Sequence, residues 1–162
     1  MRLALLIGLL LALAVPAALA ATAPAGSLSI EDGMGSAVIK GKWIVIGRLE
    51  RGEVQIVDLT PLDQWSPRIN GVPRGKTVWT RGKDINFYVP GGRYRITVHG
   101  EGVSISARGQ GLAGLDGDAD AAGSTGTFAV GDSVAVALPP SLEYVQFGPP
   151  ETATQGTKGG KP

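Results

Sequence analysis

The sequence predicts an all-β domain, most simply an antiparallel β-sandwich whose two sheets bury the apolar side chains between them. Three short runs between Gly82 and Gly111 alternate apolar and polar residues, as strands with one buried face do. After residue 24, the longest stretch without glycine or proline is the eight residues Glu53–Thr60. An average α-helix needs about 11 or 12 residues, and an interior Gly or Pro costs it about 1 or 3 kcal/mol. We therefore expect strands throughout; a short β-solenoid or a flattened barrel is the alternative arrangement.

The first 20 residues have the pattern of an export signal. Arg2 supplies a positive charge, Leu3–Val15 is an apolar run of 13 residues, and Ala18-Leu19-Ala20 offers small residues to a signal peptidase. We expect cleavage after Ala20 and a protein that is secreted or associated with the cell envelope. The alternative is an uncleaved membrane anchor, because the uncharged stretch 3–21 is just long enough to span a bilayer.

The remaining chain is organised as one domain. We predict a linker at 21–26, a glycine-rich β-domain at 27–148 and a disordered tail at 149–162, which lacks apolar mass. No membrane span is expected in the mature chain. The sequence contains no cysteine, so an exported domain of this size must be stabilised by its own core and not by disulfides.

Strand-like runs follow one another with short glycine-containing or polar connections. In chain order, we predict strands at Ser27–Glu31, Ser36–Lys40, Trp43–Gly47, Glu53–Leu59, Lys76–Thr80, Ile85–Val89, Tyr94–Val98, Val103–Ala107, Thr127–Val130, Ser133–Leu138 and Leu142–Phe147. Trp43–Gly47 is apolar on both faces, which predicts a central strand covered on both sides. Gly33-Met34-Gly35, Arg48–Gly52 and the glycines at 100 and 102 are predicted to form turns or bulges. Thr60–Pro73 holds three prolines and is predicted to be a long loop around Trp65.

Two phrases of this domain, GKWIVIGRLERGEVQIVDL at 41–59 and GRYRITVHGEGVSISARGQG at 92–111, resemble a group of small exported bacterial proteins. Those proteins are glycine-rich and all-β and belong to no characterised family. The resemblance covers about residues 27–148. It implies one glycine-rich β-domain, and it implies no activity, ligand or catalytic residue.

Charge is distributed unevenly along the chain. Residues 40–95 hold eleven Lys and Arg against five Asp and Glu, whereas residues 101–151 hold one Arg against seven acids. Such a separation is typical of a basic face that binds wall polymers or anionic headgroups, or of complementary sheets whose faces attract each other. We do not expect nucleic acid as a partner, because the pI of about 8.0 is modest and no nucleic-acid-binding module is present.

Three carboxylates, Asp116, Asp118 and Asp120, occupy alternate positions in LDGDADAAG. Alternate carboxylates in a loop can converge on Ca²⁺, so these residues are candidate calcium ligands. The pattern departs from an EF-hand loop, which requires Gly where Ala121 stands and Glu where Thr127 stands. A solvated acidic loop is the favoured interpretation, and no other cofactor is predicted.

The residues that usually carry catalysis are sparse. His99 is the only histidine, and with no cysteine a zinc site built from His and Cys is excluded within the chain. No G-x-S-x-G or phosphate-binding motif is present. The carboxylates Glu50, Glu53, Asp58 and Glu101 show no predictive spacing, although a glycosidase pair could meet in the fold. We predict a non-catalytic module of the envelope or extracellular space that is structural or ligand-binding. The alternatives are a module that binds carbohydrate or a cell-wall polymer, and a secreted hydrolase.

The aromatic residues provide the remaining clue to function. Trp65 lies in a polar loop beside Arg68, and Tyr88 should face outward from its strand, as should Arg93 and Arg95. Exposed rings with neighbouring hydrogen-bonding groups are typical of sugar-binding sites. We therefore propose Trp65, Arg68, Tyr88, Arg93 and Arg95 as candidate binding residues for a polysaccharide or wall polymer. For Trp65 the favoured interpretation is that it plugs the end of the sandwich, and we expect Trp43 and Trp79 in the core.

Overall fold

The computed structural model describes residues 26–60, 64–118 and 125–150. Within these ranges the chain forms seven β-strands and no helix, which confirms the all-β prediction. The strands are β1 (Gly26–Asp58), β2 (Arg68–Ile69), β3 (Thr77–Val89), β4 (Arg93–Gly117), β5 (Thr127–Val130), β6 (Val136–Ala137) and β7 (Glu143–Phe147). They form one antiparallel sheet, not closed into a barrel, in the order β2-β3-β1-β4-β7, with β5 beside β1 and β6 beside β5. The predicted signal peptide and most of the predicted tail lie outside the described residues.

The long strands β1 and β4 bend so that the sheet folds onto itself. Residues 93–109 of β4 have the first part of β1 on one side and its second part on the other. Trp43 marks the bend, because it lies opposite Gly109 while its backbone N–H donates to the carbonyl of Gly92, at 3.2 Å. The two ends of this stretch of β4 therefore meet at one residue. The described residues contain no helix that is long and apolar enough to cross a membrane.

Each long strand passes through two layers that share a core. We call the first layer the segments 36–42, 53–58, 77–81, 93–99 and 110–116 with β7, and the second layer the segments 26–31, 43–50, 83–89 and 101–109 with β5. Buried residues of both layers belong to one apolar cluster, among them Ile39, Ile56 and Ile96 from the first layer and Leu28, Val45 and Phe87 from the second. This folded arrangement is the physical form of the predicted sandwich.

A row of glycines marks the line along which the sheet folds. The five glycines are neighbours on adjacent strand segments, in the order Gly82, Gly52, Gly100, Gly35 and Gly117. A side chain at Gly52 would collide with the carbonyl of His99, and one at Gly100 would collide with that of Arg51. The predicted turns at 33–35 and 48–52 are therefore wrong: these residues are bends within continuous strands, because adjacent glycines let the strands approach closely. At 100–102 the strand also continues, and its pairing with β1 shifts register between Val103 and Gly100, which agrees with the bulge predicted there.

Most of the predicted core is confirmed. Trp43 is only 2% exposed and stacks on Phe147, with ring centroids 5.6 Å apart. Two expectations are wrong. Trp79 is 56% exposed, because Val78 takes the inward position of that strand. The segment Trp43–Gly47 is covered on one side only, because its even-numbered residues face outward from the second layer and leave Ile46 62% exposed.

Candidate ligand-binding surfaces

The outer face of the second layer carries a groove of about 770 Å³, which we call the serine groove. Four adjacent strand segments form its floor. They are 86–88 of β3, 46–48 of β1, 104–106 of β4 and 29–31 of β1. The outward side chains follow the strand register, so that Ile46 lies opposite Tyr88 on one side and Ser106 on the other, and Ser106 lies opposite Ser29.

The local sequence explains why these side chains face outward. In VSISA, at 103–107, the apolar residues alternate with serines, and burial of Val103, Ile105 and Ala107 directs Ser104 and Ser106 to the surface. Gly47 of β1 lies over the Phe87 ring, which occupies the space that a side chain at 47 would need. The polar groups are thus fixed on strands that the core holds in place.

The chemistry of the serine groove is mainly uncharged. Tyr88 is 37% exposed and Ile46 is 62% exposed, so the floor offers an aromatic ring and an apolar side chain to a ligand. Hydrogen-bonding side chains surround them: Ser29, Ser104, Ser106, Asn86, Arg48 and Glu31. Arg48 also lies 3.8 Å from the carboxylate of Glu50, and both side chains remain more than half exposed. An apolar surface bordered by a few polar groups is the usual composition of a small-molecule or sugar site.

Strand β2 supports the edge of the groove at Tyr88. Arg68 pairs with Tyr88 in the sheet, and Ile69 pairs with Phe87. Just after β2, the side-chain oxygen of Asn70 accepts a hydrogen bond from the Asn86 backbone N–H, at 2.8 Å. The Asn70 amide also donates to the carbonyl of Asp84, at 3.1 Å. These bonds place Arg68 beside the groove and fasten the edge strand β2 to β3.

The five binding residues proposed from the sequence lie in three places. Tyr88 lines the serine groove and Arg68 is its strand neighbour. Arg93 and Arg95 are exposed on the first layer, opposite Lys42 and Lys40. Trp65 is 56% exposed, so the plug interpretation is wrong. Its backbone carbonyl accepts a hydrogen bond from Lys76 Nζ, at 2.9 Å, and it does not line the serine groove.

Sequence reasoning missed most of the groove. Ser104 and Ser106 could have been predicted, because they are the outward residues of the predicted strand Val103–Ala107, which directly follows the predicted strand Tyr94–Val98. Ser29 and Ile46 could not, because they reach the groove only through pairing between distant segments of β1 and β4.

A second groove, of about 510 Å³, lies along the glycine row and is strongly charged. Its lining includes Arg51 and Glu101, which form an ion pair at 3.2 Å. His99 also lines it, and its Nδ1 is hydrogen-bonded to the Ser36 hydroxyl at 2.8 Å. His99 is exposed, as predicted from its place on the polar face. This hydroxyl–imidazole pair lies on an open strand face.

Two of the three candidate calcium ligands, Asp116 and Asp118, lie within the described residues. Asp116 is half-buried at the end of β4, and Asp118 is exposed directly after it, with its backbone N–H donating to the Met34 carbonyl at 3.0 Å. Asp120 lies outside the described residues. Among those that are described, no group of three or more His, Cys, Asp or Glu side chains could hold a metal ion. Calcium binding stays a prediction.

Comparisons with protein-family models, with curated proteins and with solved structures found no match to this chain. The surfaces must therefore be compared by their own chemistry. The serine groove combines an exposed ring with mostly neutral hydrogen-bonding groups, and its charged lining residues are Arg48 and Glu31. The groove along the glycine row carries more charge, with Arg51, Arg81 and Lys83 on one side of the balance and Glu101 and Asp118 on the other. The serine groove is thus the better candidate for a carbohydrate ligand.

Proposed function

We propose that this protein is an exported, non-catalytic module of the cell envelope or extracellular space that binds a polysaccharide or cell-wall polymer in the serine groove. The export signal pattern of residues 1–20 supports the location. The observation that carries the binding proposal is the pair Tyr88 and Ile46, exposed side by side on a concave face and bordered by serine hydroxyls. A sugar ring presents one apolar face and several hydroxyls, which this combination complements.

The dimensions of the groove suit an extended ligand. Its floor consists of four adjacent strand segments. With neighbouring strands about 4.8 Å apart, the floor is about 14 Å wide between the outer strand axes. The side chains on it project from paired strands and not from loops, so binding requires little ordering of the protein. A polymer chain that crosses the strands would meet Tyr88, Ile46, Ser106 and Ser29 in that order.

The carboxylates of the groove favour binding over cleavage. Among the described lining residues, Glu31 is the one carboxylate. Glycoside hydrolysis canonically uses two carboxyl groups on either side of the scissile bond. A groove with one carboxylate and several hydroxyls therefore supports a binding role.

Removal of the Tyr88 ring tests this proposal. For a polysaccharide that the wild-type protein binds, we expect Tyr88→Ala to weaken binding about tenfold, which corresponds to about 1.4 kcal/mol, because Tyr88 supplies the exposed aromatic ring of the groove. Affinity electrophoresis against a panel of neutral and acidic polysaccharides would measure the effect. Tyr144→Ala is the matched control, since Tyr144 is an exposed tyrosine (66%) on β7, outside the groove.

Three results would contradict the proposal. The first is that no polysaccharide of the panel retards the wild-type protein. The second is that both tyrosine substitutions weaken binding equally. The third is release of new reducing ends from the bound polymer, which would show catalysis.

A further inference from the structure

Four exposed cations form a compact patch on the outer face of the first layer. Lys40 lies directly opposite Arg95 in the sheet, and Lys42 lies opposite Arg93. We call these four residues the cationic patch. Like charges directly opposite each other on paired strands repel, and this arrangement contains two such pairs side by side.

Three members of the cationic patch, Lys40, Lys42 and Arg95, have no acidic strand neighbour among the described residues. Among the described residues, no carboxylate lies within 4.0 Å of Lys40, Lys42 or Arg95. Their other strand neighbours are uncharged: Leu112, Gln110 and Val57. Leu112, which lies opposite Lys40, is itself 46% exposed. The patch is therefore an electropositive surface with an apolar side chain at its edge.

The N-terminal residues join the domain at the same end as the cationic patch. Gly26 lies opposite Gly109, which in turn lies opposite Trp43, the residue after Lys42. The Trp43 N–H donates to Gly92, the residue before Arg93. Arg108, opposite Ser27, adds a further exposed cation at this end, on the second layer. The apolar stretch 3–21 precedes this entry point by only a few residues.

We infer that this end of the molecule docks on an anionic lipid surface, with the cationic patch against the headgroup phosphates. Each Lys or Arg near such a surface adds to the attraction, and an apolar side chain among them suits the lipid interface. A membrane is favoured over a soluble polyanion because Gly26, the described residue nearest in sequence to the apolar stretch, lies at the same end of the domain as the patch. While that stretch is attached it holds the patch at the bilayer, and after its removal the patch alone provides the attraction. This inference is independent of the serine groove, which lies on the other layer.

Vesicle flotation of the full chain tests the inference. The probes are phosphatidylcholine vesicles with and without phosphatidylglycerol. Insertion of the apolar stretch contributes to binding of both kinds, so the ratio of protein bound to the anionic vesicles over protein bound to the neutral ones reports the effect of lipid charge. We expect the triple substitution Lys40→Gln, Lys42→Gln, Arg95→Gln to lower partition onto the anionic vesicles at least tenfold and to leave partition onto the neutral ones unchanged. The matched control is Arg51→Gln, Arg81→Gln, Lys83→Gln, which removes the same charge around the glycine row and should have a much smaller effect.

Three outcomes would overturn the inference. The wild-type protein could partition equally onto both kinds of vesicle. Both triple variants could lose the same affinity for the anionic vesicles, which would show that binding depends on the net charge of the protein and not on the patch. The patch variant could lose binding to soluble polyphosphate while its partition onto anionic vesicles stays unchanged, which would make a soluble polyanion the partner. Unchanged circular dichroism spectra would show that each variant is folded.

Discussion

At the scale of single residues, Asp58 is the buried charged side chain of the described core, at 7% exposure. One carboxylate oxygen accepts a hydrogen bond from the Thr60 N–H at 2.8 Å, and the other lies 3.2 Å from Lys76 Nζ. The Asp58 backbone N–H also donates to the Lys76 carbonyl. Asp58 therefore fixes the end of β1 to the residue that precedes β3. This role of Asp58 could not be predicted from the sequence, because it depends on contact with Lys76, which lies far along the chain.

Loss of the Lys76 ammonium should destabilise the fold. We expect Lys76→Met to lower the free energy of unfolding by about 2 to 3 kcal/mol, because it leaves a buried carboxylate without its cation. The value lies at the low end for such pairs because Lys76 itself is 37% exposed. Urea denaturation would measure the change. Lys83→Met, at an exposed lysine of β3, is the control, and an equal loss in both variants would contradict the assigned role of Asp58.

The tryptophans show how far the burial of a single side chain can be predicted from the sequence. Burial of Trp43 is predicted from its apolar strand, but its fit depends on remote glycines, since a side chain at Gly41 or Gly111 would collide with its ring or come too close to it. For Trp79 the sequence offers two adjacent apolar residues and no way to choose the inward one. Pairing of Val78 with Ile56 on β1 decides this, and the larger side chain is left outside.

At the scale of elements, the glycine row determines how the sheet folds. Buried positions fall on even numbers from Tyr94 to Val98 and on odd numbers from Val103 to Ala107, although both belong to β4. The two runs could be predicted separately, and so could their inward faces. Their continuity could not be predicted, because glycine is equally suited to a turn and to a bend where strands approach closely.

Two glycines of this row provide a matched pair of substitutions. We expect Gly52→Ala to destabilise the protein by at least about 3 kcal/mol or to prevent folding, because its backbone has a φ of 146° and a Cβ would meet the His99 carbonyl. Gly82→Ala should be nearly neutral, because a Cβ there has no atom within 4 Å. Thermal unfolding followed by circular dichroism would compare them. Similar melting temperatures for the two variants would contradict the close-packed bend.

At the scale of the whole molecule, strand pairing brings together charges from distant parts of the sequence. The cations of the patch lie near Trp43, where the strand ends meet, whereas the glycine row has charges of both signs beside it, among them Arg51, Lys83 and Glu101. The sequence predicted an uneven distribution of charge. Where these charges lie on the folded sheet depends on which strand segments pair, and only the register of the folded structure shows that pairing.

The same limit applies to the candidate site. Tyr88 was identified from its outward position, and Arg68 from its neighbourhood in the loop. The serine groove, which Tyr88 lines, is formed by β1, β3 and β4, and two widely separated parts of β1 contribute to it. A single sequence specifies which side chains face outward on each strand, but it does not specify which strands are neighbours.

The central claim is that the serine groove is the ligand-binding surface, and mapping of amide chemical shifts by NMR tests it most directly. The best-binding oligosaccharide of the panel would be titrated into isotopically labelled protein. We predict that the perturbed amides cluster at 29–31, 46–48, 86–88 and 104–106, the four segments that line the groove. Perturbations concentrated instead at 36–42 and 93–97 of the first layer, with the groove amides unchanged, would contradict the claim.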